Sequence, residues 1–413
     1  ATQKLRAYKA IETDGVFEWV IDEEWDLSAT LPEGISATDV IPDFEGDFWF
    51  ITGFAHVGHL DAETGESRTL WLAVEEPEVI GAAFAVGPEG AYVLTSKAMY
   101  MFVLDDCGTP TIQWRWEYGD LENPDLSTPT LHDEGRLVTF SINHGDDTSE
   151  LVVMKTDPLV AAEDRLVCRL GLFEPGKSAI QNTVAAHGRS IIAQNNFGGA
   201  FYEVGAFEPG LARVDVREDH SGCDIVWQDD TISSQVPPRL STGDGHVWLY
   251  AYKRGEPEDV HAYYLTALDF ETGEVVSEIF VASGKRMDNP MLSIDFLPGG
   301  VMVGGVRNGI LSVCDAADDG TGTPVCTLAE GETTPLVEPE VPPEEVEPTD
   351  DPEPGDPQPG TSEPTDAEPA GGCDAGPSSA PSTGGGLWLL LLGAWWGMRT
   401  RRAPPKGRAL QAR

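Results

Sequence analysis

Gly87-Pro88-Glu89-Gly90-Ala91-Tyr92-Val93-Leu94 reads as a tight glycine turn feeding a short apolar strand, and variants of it return along the chain. They are Asp133-Glu134-Gly135-Arg136-Leu137-Val138, His187-Gly188-Arg189-Ser190-Ile191-Ile192, Gly243-Asp244-Gly245-His246-Val247-Trp248 and Pro298-Gly299-Gly300-Val301-Met302-Val303. Successive turns stand about 45 to 56 residues apart, room for four short strands and three turns. Two further signatures accompany them. Strands end in Leu-Asp followed by a turn, as in Leu60-Asp61-Ala62-Glu63-Thr64-Gly65-Glu66 and Leu268-Asp269-Phe270-Glu271-Thr272-Gly273-Glu274. Tryptophans mark outer-strand runs at Trp71, Trp114, Trp116 and Trp227.

β-Branched and aromatic residues sit in runs of five or six between glycines, and no segment before residue 335 sustains a helical stripe. The pattern predicts an all-β fold, a β-propeller of four-stranded blades over residues 1–331. Six whole blades are expected at 36–75, 79–118, 126–171, 180–228, 233–281 and 287–330, with residues 5–20 as the outer half of a seventh. The chain is thus expected to begin within a blade, after a missing N-terminal segment.

The remainder is of a different kind. Residues 332–370 hold 13 carboxylates and 11 prolines with no lysine or arginine. Such a segment buries too little apolar surface to offset the ordering of its backbone. Residues 332–386 are therefore expected to form an extended, disordered acidic stalk, its 332–370 part reaching up to ~120 Å at ~3.1 Å per residue. The apolar block Leu387–Met398 and its basic stop make 387–402 a short hydrophobic helix, followed by a basic tail at 403–413. Twelve residues rise ~18 Å against a hydrocarbon core of ~30 Å. That is short for a lasting span, so membrane contact through this segment is expected to be transient.

A net charge of −44, from 70 acidic against 26 basic side chains, argues against a nucleic-acid partner. Six cysteines suit an oxidising compartment without making a disulfide scaffold. Cys314 and Cys326 flank a turn-rich stretch and are expected to pair; Cys168 and Cys223, in outer-strand runs, form the next expected pair. Cys107 has no evident partner.

Ligand residues are sought where inner strands and their loops converge on a funnel. Asn182, Asn195 and Asn196 cluster in one blade, while Asn289 and Arg239 stand at the start of inner strands in others. Lys97, Lys253 and Arg307 fall where an inner pair turns and could meet an anion or polyol. The competing reading is that these polar side chains satisfy turn backbone groups. His56 and His59, three apart on a strand, face opposite sides and are not expected to share a metal. Calcium is left open at Asp146-Asp147 or Asp315–Asp319, though neither has an ordered loop spacing. No nucleophile elbow, phosphate loop or Cys/His pair is present, so no catalytic residue is assigned.

The Asp-x-x-Thr-Gly-Glu turns resemble those of quinoprotein-like propellers with pyrroloquinoline-quinone (PQQ) repeats. Stretches such as Leu172–Asn182, Ile191–Gly198 and Tyr264–Phe270 are similar to a set of secreted bacterial propellers. This implies a secreted propeller, while the lack of adjacent cysteines and regular tryptophan-docking repeats argues against a bound quinone. Gly371-Gly372-Cys373-Asp374 ahead of the apolar block resembles myxobacterial-type C-terminal sorting signals, which implies a processing protease, modification at Cys373 and retention on the cell envelope. The expected function is a secreted, surface-displayed binding or scaffold module for a polar ligand or surface partner. The alternative is a secreted propeller enzyme, a quinone-dependent dehydrogenase or a calcium-dependent lactonase-like hydrolase.

Overall fold

A computed structural model of the chain describes residues 3–13, 16–72, 78–118, 125–143, 148–199, 207–254, 261–289, 293–297, 301–307, 309–315 and 410–412. The first element is a hairpin of β1 (Lys4–Thr13) and β2 (Val16–Asp26). Blade one is β3 (Asp39–Pro42), β4 (Phe48–Ile51), β5 (His56–Leu60) and β6 (Ser67–Trp71). Blade two is β7 (Ala85–Gly87), β8 (Gly90–Leu94), β9 (Ala98–Leu104) and β10 (Pro110–Glu117). Blade three has β11 (Asp125–Leu126), β12 (Thr130–His132), β13 (Leu137–Asn143) and β14 (Ser149–Lys155), then the one-turn helix α1 (Ala162–Arg165) and β15 (Leu166–Leu172). Blade four is β16 (Ala185–His187), β17 (Ser190–Gln194), β18 (Leu211–Val216) and β19 (Cys223–Asp229). Blade five is β20 (Arg239–Ser241), β21 (His246–Arg254), β22 (His261–Asp269) and β23 (Val275–Ser283). Blade six supplies β24 (Ile294–Leu297), β25 (Val301–Val306) and β26 (Gly309–Asp315).

Each sheet is an antiparallel meander in chain order. Among the described residues, blade three alone has a divided inner strand: β11 and β12 both pair with β13, on either side of Ser127–Pro129. Pro129 has no N–H to give to a ladder, and the Ser127 hydroxyl instead accepts the Ser141 N–H at 2.9 Å.

Period-two alternation divides each strand between two neighbours. On β8, Ala91 and Val93 join the cluster with Trp49, Ile51 and Val57 of blade one. Tyr92 and Leu94, pointing the other way, join Phe140, Ile142 and Val152 of blade three. The same division recurs on β17, where Ile191 packs with blade three and Ile192 with blade five. Tyr250, Tyr263 and Leu265 of blade five meet Met302, Leu311 and Val313 of blade six. Inner strands follow one another: β3 lies beside β7, β7 beside β12, β12 beside β16, and β16 beside β20. This is the blade-on-blade stacking of a β-propeller, nearly all strand and almost without helix.

Glycine in the opening turn has a specific cause. A Cβ on Gly90, at φ +145°, would lie 1.9 Å from the Phe102 carbonyl oxygen on β9. The aspartate turns are closed by side chain and backbone together. Asp269 accepts the N–H groups of Glu271 and Thr272 through Oδ1, and its own carbonyl accepts the Gly273 N–H at 2.9 Å.

Cys168 on β15 and Cys223 on β19 are bridged, with Cα atoms 5.8 Å apart, tying the outer strands of blades three and four. Cys107 is also disulfide-bonded. The expected Cys314–Cys326 pair involves Cys326, which lies outside the described residues, as do the stalk, the hydrophobic segment and Cys373. Residues 316–330, where blade six was expected to finish, lie outside the described residues. Among the described ones, β27 (Leu410–Ala412) pairs with β26, Val313 standing opposite Ala412. Three residues of the basic tail therefore add an edge strand, which their alternating Leu-Gln-Ala permits and their distance in sequence conceals.

Candidate functional site

In a four-stranded meander, the first and third turns share one end of the sheet. The second turn and the linker to the next blade share the other. Every residue expected at the funnel falls at or near this second, linker end. Asn195, 2% exposed, accepts the N–H groups of Ala179 and Phe197 at 3.1 and 3.0 Å and donates to the carbonyls of Lys177 and Pro209. Asn196 accepts the N–H groups of Gln181 and Asn182, both at 3.2 Å. Asn182 in turn donates to the Gln235 carbonyl at 2.7 Å. The three asparagines thus come together and fasten the linkers of blades four and five. Asn196 Nδ2, Gln194 Oε1 and both amide atoms of Gln235 are buried without a hydrogen-bond partner.

The other candidates are dispersed. Arg239 donates to the Ile294 carbonyl at 2.6 Å and to Asp295 at 2.9 Å, joining β20 to β24. Arg307 is held by the buried Asp288 at 2.8 Å, and Asn289 is buried next to that aspartate. Lys253 pairs with Glu278 at 2.5 Å and lies over the Tyr264 ring. The Lys97 N–H donates to the Thr95 hydroxyl in the β8–β9 turn.

His56 and His59 do face different partners, Thr52 and Asp43. Asp43, Asp47 and His59 bring potential metal-ligand atoms within 4.8 Å of one another. One Asp43 oxygen already accepts three backbone N–H groups and the other bonds His59, as a turn aspartate does without an ion.

The opposite, turn end holds what the sequence did not single out. A cavity of about 420 Å³ lies between blades two and three. One wall is the β7–β8 turn with Pro88 and Glu89; a second is the β12–β13 turn with Glu134, Gly135 and Arg136. Lys155 at the end of β14, with Thr156–Pro158 and Val160 beyond it, forms a third, and His220 reaches in from the β18–β19 turn of blade four. Tyr92 and Leu131 line the floor.

Three of the five described non-glycine residues with left-handed backbone stand here: Asp133 at φ +52°, Glu134 at +60° and His220 at +55°. Such strain persists only where the surroundings enforce it. Asp133 is 8% exposed. Its Oδ1 accepts from Arg136 at 3.0 Å, while its Oδ2 is buried with no hydrogen bond and faces His220 Nε2 at 3.6 Å. Beside it, His132 must carry its proton on Nδ1, because that atom meets the Gly188 carbonyl at 2.9 Å. Nε2 then accepts the Thr139 hydroxyl at 2.8 Å. Burial holds the His132 pKa below its ordinary value, so the ring stays neutral.

The third wall is fixed by Arg165, 2% exposed and lying over the Trp114 ring. It donates to the carbonyls of Lys155, Asp157 and Val160 at 2.8, 3.1 and 2.8 Å. Burial also pushes the Tyr92 hydroxyl up to about 12, which keeps this floor residue uncharged. The cavity therefore offers an apolar floor and a rim of charges, with the buried Asp133 carboxylate behind its β12–β13 turn. A sequence signal existed in Asp133-Glu134-Gly135, where two charged residues precede the turn glycine. His220 carried none.

No protein-family model and no curated protein matches the chain. Among solved structures it is similar to a protein from Lactobacillus plantarum, 12% identical over 76% of this chain and 89% of that one, with a TM-score of 0.47. It is also similar to the periplasmic gluconolactonase of Pseudomonas aeruginosa, 10% identical over 67% and 80%, TM-score 0.43. A β-propeller domain from Myceliophteria thermophila is 11% identical over 71% and 88%, TM-score 0.42.

Proposed function

We propose that the protein is a binding propeller of the cell exterior whose ligand, a small polar molecule, occupies the cavity between blades two and three. The observation that carries this reading is the cavity itself, about 420 Å³ with Tyr92 and Leu131 beneath the charged turn residues Glu89, Glu134, Arg136, Lys155 and Asp157. A concave site with an apolar floor and a few converging polar groups is the kind of place where small molecules bind. No cofactor is required. Val160→Trp would fill the cavity from a half-buried loop position, leaving the blade cores intact. Thermal-shift screening of the full-length protein against small polar metabolites should give stabilising compounds that lose their effect in that variant. Compounds that stabilise both proteins equally, or none at all, would sink this reading.

The exterior setting is supported by the Cys168–Cys223 bridge, which persists in oxidising compartments, and by the order of acidic stalk, apolar block and arginines. Cys373 is proposed as the point of processing and lipid attachment, with the membrane met through Leu387–Met398. Cys373→Ala should release the protein to the medium or leave an unprocessed form. Surface retention at unchanged mass would argue for a plain hydrophobic anchor.

A further inference from the structure

We infer that the β1–β2 hairpin is a dimerisation edge: β1 of one copy pairs antiparallel with β1 of a second copy, making a four-stranded sheet shared by two molecules.

Only the foot of the hairpin is supported. Alternation along β4 turns Trp49 and Ile51 toward blade two and Phe48 and Phe50 to the opposite side. There the foot packs, with the Trp25 and Phe48 rings 5.2 Å apart and Trp25 Nε1 donating to the Ala62 carbonyl at 3.2 Å. The outer half has no such cover. Every residue of β1 from Tyr8 to Thr13 is exposed, and on β2 Phe17, Trp19 and Ile21 are 67, 70 and 49% exposed. Among the described residues this is the only sheet of two strands. Two strands alone are marginal in water, and a sheet gains independent stability from a third strand or from packing on its face. The free β1 edge is where further strands can be added.

Charge chooses the edge and the occupant. β2 carries five carboxylates, Glu18, Asp22, Glu23, Glu24 and Asp26, and no lysine or arginine, so two copies of its edge repel. On β1 the cations are already matched within the hairpin, Lys4 and Arg6 by Glu24 and Lys9 by Asp22. A two-fold axis through Tyr8 sets Tyr8 opposite Tyr8, and Lys4 opposite Glu12 of the second copy, twice over. It also sets Leu5 opposite Ile11, whereas an axis through Lys9 would set lysine against lysine. Because Tyr8 already stands beside Ile21, the middle row of the joint sheet reads Ile21, Tyr8, Tyr8, Ile21. That row is apolar across all four strands. A two-fold pair closes on itself, so it covers both β1 edges and ends at the dimer.

Sedimentation of the full-length protein in a mild detergent, which keeps its apolar C-terminal blocks apart, should show a concentration-dependent monomer–dimer equilibrium. A monomer at every concentration, or species that keep growing past the dimer, would overturn the inference. Register is tested by cross-linking. Facing residues of an antiparallel pair have Cα atoms about 4.5–5.5 Å apart, within reach of a disulfide. Under a mild thiol oxidant Tyr8→Cys should therefore link into a covalent dimer at least about ten-fold faster than Thr13→Cys, which is as exposed but far from its own copy in this register. Equal rates would mean chance collision and would overturn the pairing. Glu12→Lys should weaken the dimer about ten-fold through the loss of two cross-strand pairs, while Glu18→Lys, the same charge change on β2, should leave it within about two-fold. Equal weakening by both would reduce the effect to net charge and would likewise overturn it.

Discussion

Asp133, Glu134 and His220 hold backbone angles that cost L-residues roughly 1–2 kcal/mol each. Glu134 is the exposed member of the three, so its strain can be tested alone. Glu134→Gly should raise the stability of the folded state by about 1 kcal/mol, less the entropy that glycine adds to the unfolded chain. Urea unfolding would show it, and a loss of stability would mean that the turn is relaxed. Arg165 offers the complementary test. Arg165→Met removes three bonds to carbonyls while keeping the stem against Trp114, and should cost about 2–3 kcal/mol. It should also speed amide exchange across residues 155–160; unchanged exchange there would deny Arg165 its part in holding the wall. His132 links the site to pH. Its folded pKa lies below its ordinary value of 6.5, so the stability it contributes is fully present above that value. That contribution is lost as pH falls through the folded pKa. The melting temperature should therefore drop on acidification below about 6.5, and the drop should be shallower in His132→Gln. Parallel profiles for the two proteins would count against a buried neutral imidazole.

At the scale of elements, the strands were legible because alternation is local. β8 and β9 are buried along most of their length and read as continuous apolar runs, whereas β10 alternates at its solvent side. The aspartate turns were legible too, since one side chain and one glycine close each of them. The division of blade three's inner strand also has a local cause in Pro129. Which face each strand shows to which neighbour is set by stacking, and Phe140 measures what that stacking contributes. It is fully buried between blades two and three, edge-on to Trp116. Phe140→Ala should cost about 3–5 kcal/mol in chemical denaturation; a loss below about 1 kcal/mol would mean that the interface collapses around the gap. The Cys168–Cys223 bridge closes a separation of 55 residues, for which the chain-entropy account gives about 4 kcal/mol. Replacing both cysteines by serine should lower stability by that order, and a neutral outcome would place the bridge outside the cooperative unit.

Across the whole molecule, charge outweighs every other surface property. A net −44 means that like charges repel across the folded chain, and added salt screens that repulsion. The urea midpoint should rise between low and physiological ionic strength. A fall would indicate that local pairs such as Arg213 with Asp215 and Glu271 outweigh the general repulsion.

Glycine turns, aspartate turns and two-residue alternation determined, by themselves, an all-β chain of four-stranded sheets and where its first five blades lie. These features depend on steric and hydrogen-bonding rules that act within a few residues. They also brought Asn182, Asn195 and Asn196 to notice, which do meet at the linker end. What those amides hold, and that the cavity opens at the other end of the strands, depended on tertiary structure. That cavity is assembled from turns near residues 88, 134, 157 and 220, from three blades. No periodicity in the chain relates these positions. Only the stacking of blades two, three and four sets Asp133 of one turn against His220 of another.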